Sequence, residues 1–236
     1  MNLVLVPGLL CTEALWAPQI AALGDVAHCS VADHTRHDTM AGIAGAILAA
    51  APERFALAGL SMGGHIAFEI MRQAPGRVER LALLDTSARA DTPERTAGRR
   101  QLIAKAEEEG VARAQELLLP SLIHKARLGE TQLVTTIMHM AVETGLDAFR
   151  RQEEAIIGRP DSRPVLANIR CPTLVLVGEQ DALTPVEAAR EIADGIAGAK
   201  LAIVPDCGHL STLEQPEAVS RALREWLASD APGLTP

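Results

Sequence analysis

Phe-Ala-Leu-Ala-Gly-Leu-Ser-Met-Gly-Gly-His-Ile-Ala-Phe-Glu, residues Phe55 to Glu69, decides the fold. Phe55 to Ala58 is a short, wholly apolar run suited to a buried strand, while Ile66, Ile70 and Met71 give one apolar side of a following helix. Between them Gly59, Ser61 and Gly63 satisfy G-x-S-x-G, a pattern that sets a serine on a sharp strand-to-helix turn. Glycine on both sides is expected because strand and helix approach too closely there for a Cβ. Everything else in the chain reads as support for that serine.

Working toward the N-terminus, Leu3 to Val6 is an apolar strand ending at Pro7-Gly8, and Thr12 to Leu23 carries a helical spread of Leu15, Ile20 and Leu23. His28 to Val31 reads as a second strand and Met40 to Ala51 as a helix stopped before Pro52. Beyond the serine turn, Arg80 to Leu84 is a fourth strand. Wholly apolar strands alternating with helices predict a parallel sheet covered on both faces. The alternation stops after Ser87: Glu94 to Glu109, Val111 to Leu119, Thr131 to Glu143 and Leu146 to Ile157 are all helical, with no strand among them. This predicts a helical lid over 89–163 inserted into a core formed by 1–88 and 164–236. Arg159 to Pro164 reads as a hinge-like loop. Then come strand Thr173 to Val177, helix Pro185 to Ile196 started by a Thr184-Pro185-Val186-Glu187 capping box, strand Leu201 to Val204 and helix Glu217 to Leu227.

The 236 residues are 48% hydrophobic and 22% charged, which fits one globular domain with a large core. A net charge of -8 opposes nucleic acid and anionic membranes as partners. The N-terminus lacks a basic stretch and meets Pro7 early, so neither signal peptide nor membrane span is expected and the default location is the cytoplasm. Cys11, Cys29, Cys171 and Cys207 are widely spaced without C-x-x-C, so they read as reduced, mostly buried thiols and no metal or cofactor is expected.

Ser61, Asp181 and His209 each follow the C-terminal end of an expected parallel strand, the edge where open α/β sheets form active sites. A serine hydroxyl needs a base, which His209 supplies, and Asp181 fixes the imidazole tautomer. Asp85 and Glu179 compete with Asp181 for the acid role. Donors for a tetrahedral oxyanion are expected from the backbone N–H of Met62 and of Leu9, in the loop after the first strand. Leu10, His124 and Met138 are the candidates for the pocket wall. His34, His37, Asp33 and Asp38 share one polar loop without ligand spacing and read as solvated.

On these pieces the chain resembles the α/β-hydrolase superfamily, close to small bacterial esterases and lactonases with helical lids. The matching motifs are Val6-Pro7-Gly8-Leu9-Leu10, Gly59-Leu60-Ser61-Met62-Gly63-Gly64, Gly178-Glu179-Gln180-Asp181 and Gly208-His209. Position by position, the resemblance implies nucleophile, acid and base at Ser61, Asp181 and His209, and oxyanion donors at Leu9 and Met62. It departs where relatives have His-Gly and this chain has Pro7-Gly8, where their Gly-His-Gly-x-Ser loop is replaced by residues 32–39, and in lacking two initial strands, which leaves about six. The absence of tyrosine and the scarcity of Phe and Trp predict aliphatic pocket walls. The expected activity is a cofactor-independent serine hydrolase cleaving a small-molecule ester, thioester or lactone through an acyl-enzyme, in a monomer or homodimer. C–C bond hydrolase, perhydrolase and hydroxynitrile lyase use the same residues, and a non-catalytic ligand receptor is the reading from another class.

Overall fold

The computed structural model describes residues 1–229. The last seven residues of the expected 164–236 core segment lie outside the described residues. Strands β1 (Asn2–Val6), β2 (His28–Val31), β3 (Phe55–Leu60), β4 (Val78–Leu84), β5 (Thr173–Gly178) and β6 (Lys200–Val204) form one sheet in the order β2-β1-β3-β4-β5-β6, every pairing parallel. Burial follows position. All residues of β3 and β5 are buried, whereas edge strands β2 and β6 are half-exposed. A strand covered on both faces must be apolar throughout, which is why Phe55 to Leu60 shows no alternation.

Successive side chains point to opposite faces of the sheet. Val4, Val6, Leu57, Leu83 and Val177 pack with α2 (Met40–Ala50), α3 (Met62–Gln73) and α8 (Val186–Gly195). Leu3, Leu5, Ala58, Leu84 and Leu176 pack with α1 (Ala17–Leu23) and α10 (Pro216–Ala228), where Trp16 is fully buried. Burying side chains of this size stabilises by roughly 1.5–3 kcal/mol each. These two layers hold the carboxyl ends of the strands fixed, and β1 lies between β2 and β3, so the chain leaves β1 and β3 toward opposite sides. That divergence opens the crevice in which ligands bind.

Between β4 and β5 run α4 (Pro93–Glu109), α5 (Val111–Leu122) and α6 (Thr131–Ile157), followed by the single turn α7 (Arg163–Leu166). Gly145, at φ 77° and ψ 167°, breaks α6 into the two helices expected from the sequence. The hinge-like loop expected at 159–164 is a loop over 159–162 that is tied down, and the last two residues of the expected stretch, Arg163 and Pro164, open α7. Arg159 and Ser162 are buried, Ser162 N–H donates to Ala88 O (2.7 Å), Arg159 Nε donates to Arg89 O (3.0 Å), and Arg159 pairs with Asp91 (2.9 Å). Both ends of the helical segment are thus tied together where it joins the sheet. Leu122, Ile123, Ile137 and Met140 from these helices belong to the core layer beneath. The turn α9 (Ser211–Glu214) completes the chain before α10. Among the described residues no helix is long and apolar enough to cross a membrane.

Candidate active site

Ser61 sits between the last residue of β3 and the first of α3 at φ 55°, ψ -114°. Such a backbone costs about 1–3 kcal/mol in a residue with a Cβ and persists only where neighbours hold it. Here Ser61 N–H donates to Leu84 O (2.9 Å), and Ser61 O accepts from Gly64 N–H and from Thr86 Oγ1 (2.8 Å). A Cβ on Gly59 would lie 2.2 Å from Gly63 O and one on Gly63 would lie 2.1 Å from Val6 O. No side chain fits at either position.

His209 follows β6 and Asp181 follows β5. Ser61 Oγ donates to His209 Nε2 at 2.8 Å, and His209 Nδ1 donates to Asp181 Oδ2 at 2.8 Å. Asp181 also accepts from the Leu183 and Thr184 amides (2.8 and 2.9 Å) and from Thr184 Oγ1 (2.6 Å), so both carboxylate oxygens are occupied. The capping box expected at Thr184 is therefore overturned: its hydroxyl serves Asp181, and α8 starts after Pro185 without a side-chain cap. Burial pushes the His209 imidazole down, yet the Asp181 charge and hydrogen bond outweigh it and hold the pKa above 6.5. Asp181 shows the complement, since burial raises its carboxyl but His209 and Thr184 bring it below the ordinary value. Glu179 is exposed, and Asp85 bonds Gly178 N–H and Ser211 Oγ. The histidine bond goes to neither rival.

Among the described residues the backbone N–H groups of Leu9 and Met62 have no acceptor, and both residues line the cavity above Ser61. Met62 is the first residue of α3, where helix geometry leaves the amide free. The next amide in the β1 loop is different. Leu10, at φ 56°, donates to Gln152 Oε1 (3.1 Å), while His34 Nε2 donates to Gly8 O (2.9 Å). The solvated reading of His34 is thus corrected: it is buried and props the loop after β1, which no histidine before Gly8 does in this chain.

The cavity has a volume of about 340 Å³ and is lined by Leu9, Leu102, Leu118, Leu122, Ile156 and Leu183 among others. Leu10, His124 and Met138 do not line it. Leu10 is buried against Ile103, Ala114 and Phe149 because its positive φ turns it away; His124 caps a turn by accepting from Ala126 N–H. Polar wall residues were missed: His65, Arg95, Arg99, Gln115, Glu153 and Arg159. Arg99 lies on the mostly polar α4 and Arg159 in the loop after α6, and nothing in the local spacing separates a pocket cation from a surface one there. Glu214 was also missed; it is buried and accepts from the amides of His124 (2.7 Å), Gly208 (3.1 Å) and Leu210 (3.3 Å), fixing the His209 loop. Among the described residues no group of three or more His, Cys, Asp or Glu side chains is set to hold a metal ion.

A strand–serine–helix turn beneath two unpaired amides, served by residues from two later strand ends, can be compared with known proteins. The model of the alpha/beta hydrolase family matches residues 3–222. The chain belongs to that family. Within it, BpoC of Mycobacterium tuberculosis, named as a non-heme bromoperoxidase, is 32% identical over 190 residues, covering 76% of this chain and 69% of that relative. A thermophilic esterase from Thermogutta terrifontis is 31% identical with a TM-score of 0.88, covering 96% of this chain and 89% of the esterase. The enol-lactonase from Burkholderia xenovorans LB400 is 28% identical with a TM-score of 0.86, over 97% of this chain and 91% of the enzyme. This alpha/beta hydrolase is thus similar to proteins named for an esterase, a lactonase and a bromoperoxidase activity.

Proposed function

We propose that this alpha/beta hydrolase cleaves a carboxylic ester, thioester or lactone through an acyl-enzyme, with α4 to α6 as the lid of its pocket. The observation that carries the reading is the continuous hydrogen-bonded line Ser61–His209–Asp181 at a cavity where the Leu9 and Met62 amides are free. Ser61 Oγ attacks the carbonyl carbon while its proton passes to His209 Nε2, and Asp181 stabilises the imidazolium. The carbonyl oxygen becomes an oxyanion held by the amides of Leu9 and Met62. On collapse, the bond to the leaving oxygen or sulfur breaks and His209 returns its proton to that atom. Water, deprotonated by His209, then attacks the acyl carbon and releases the acid and free Ser61.

Ser61→Ala removes only the Oγ from a turn whose glycines remain. It is expected to abolish hydrolysis of 4-nitrophenyl butyrate and labelling by a fluorophosphonate, with an unchanged circular dichroism spectrum. Near wild-type turnover by the pure variant would exclude the serine mechanism. A second reading keeps the acyl-enzyme and resolves it with hydrogen peroxide instead of water, as a perhydrolase. The similarity to a relative named as a bromoperoxidase favours it, and peracid formation from an ester and peroxide measures it.

A further inference from the structure

The wall opposite Ser61 departs from the aliphatic lining that the composition suggests. Arg95 and Arg99 reach the cavity from α4 and Arg159 reaches it from the segment after α6. Three guanidinium groups at one cavity are notable in a chain of net charge -8. Among the described residues two carboxylates answer them. Asp91 pairs with Arg99 (3.3 Å) and Arg159 (2.9 Å), and Glu153 pairs with Arg99 (2.8 Å). Arg95 has no carboxylate within ion-pair distance among the described residues; its guanidinium donates there to Leu183 O (3.1 Å). Arg99 and Arg159 each keep Nη2 without an acceptor among the described residues.

Tying α4 to α6 requires no more cations than carboxylates, so one positive charge and several donors are left over. The surplus faces the same space as Ser61. His65, one turn along α3 from the serine, lines that space as well. Burial and the nearby charges of Arg159 and Arg99 keep its imidazole well below 6.5, so it stays neutral and the positive charge there belongs to the arginines. Two acceptors on the same wall are also unanswered: Glu153 Oε1 and Gln115 Oε1 are fully buried with no hydrogen-bond partner. A buried acceptor left unpaired is destabilising, and a ligand donor would relieve it.

We propose that the substrate carries a carboxylate remote from the bond cleaved, held by Arg95, Arg99 and Arg159, with a hydroxyl or N–H beside it donating to Gln115 or Glu153. The class is an ester or lactone of a carboxylic acid that also carries a hydroxyl or N–H; this rests on the serine hydrolase reading. Arg99 and Arg159 are held by buried ion pairs, so their planar donors are already ordered before a carboxylate arrives. Arg95, solvent-exposed and bonded through its guanidinium to Leu183 O, would complete the clamp.

The test compares kcat/KM for esters matched in shape but not in charge. Nitrophenyl hemiglutarate against nitrophenyl pentanoate places the charge on the acyl side, and 4-acetoxybenzoate against 4-acetoxybenzamide places it on the alcohol side. The wild-type protein is expected to favour the charged member of one pair by at least about tenfold. Arg95→Gln is expected to cut that preference about tenfold, Arg95→Lys to retain part of it, and 0.5 M salt to weaken it through screening. Equal kcat/KM within both pairs would overturn the proposal and leave the hydrolase reading intact. If no ester of either charge is cleaved, the hydrolase reading fails, and binding of glutarate by calorimetry decides the site. Glutarate bound by wild type and lost in Arg95→Gln supports it; no binding overturns it.

Discussion

At the scale of single residues, two buried carboxyls near His209 are driven in opposite directions. Asp181 is ionised by its contact with His209 and Thr184. Asp85 is raised by burial and by the charge of Asp181, to about 8. Pairs pushed apart in this way divide their roles. Asp181→Asn should preserve shape but favour the wrong histidine tautomer, lowering kcat by about 10³–10⁴. Asp85→Asn should cost far less activity, because an amide oxygen still accepts from Gly178 N–H. Its effect belongs to stability. A carboxyl that titrates at 3.8 unfolded and about 8 folded binds its proton more tightly in the folded state, so its contribution is complete below 3.8 and is lost as pH rises through 8. Urea unfolding of wild type should weaken across that window more than unfolding of Asp85→Asn does; parallel pH dependence in the two would refute this. His209 works with the same sign on a different quantity. Its pKa lies above 6.5, and as the proposed base it must be unprotonated to act, so kcat/KM should fall with decreasing pH about a midpoint above 6.5.

Among elements, the loop carrying His209 is held chiefly from outside the sheet. The amides of His209 and Leu210 donate to Leu122 O at the end of α5, and a Cβ on Gly208 would lie 2.5 Å from His124 N. The helical segment therefore positions His209 as well as lining the cavity. Deleting 91–163 is expected to abolish ester hydrolysis rather than broaden it; a deletion variant still turning over nitrophenyl butyrate would show the loop to be self-supporting. Within α6, Gly145 carries a backbone that a Cβ tolerates poorly, although open space surrounds it. Gly145→Ala should lower stability by about 1–3 kcal/mol through backbone strain alone, seen as a Tm lower by about 2–4 °C for each kcal/mol. The sequence marked that break because glycine interrupts two helical runs. It gave no sign that His34 and Gln152 meet at the β1 loop, since they lie 118 residues apart and neither belongs to a local pattern.

Across the whole molecule, legibility follows the range of the interaction. Six buried or half-buried strands, their helices and the three strand ends bearing Ser61, Asp181 and His209 were readable because apolar runs and turn residues are local signals. The polar cavity wall was not, because Arg99, Arg159, Asp91 and Glu153 acquire their meaning only when α4 closes on α6. The same cluster joins the helical segment to the sheet. Arg159 and Asp91 have side chains 3% and 1% exposed, so their pair is shielded from water and salt. Removing one member strands the other in a poorly polarisable site, at a cost of about 3–5 kcal/mol, whereas replacing both by apolar groups is often near neutral. Asp91→Ala should therefore destabilise the protein by about that amount in urea unfolding at pH 7, and Asp91→Ala with Arg159→Met should recover a large part of it. Arg99 loses a partner in both variants, so recovery stays incomplete. Wild-type stability of Asp91→Ala alone would show that the two ends of the helical segment are held by the backbone bonds at Ala88 and Arg89 without help from the charges.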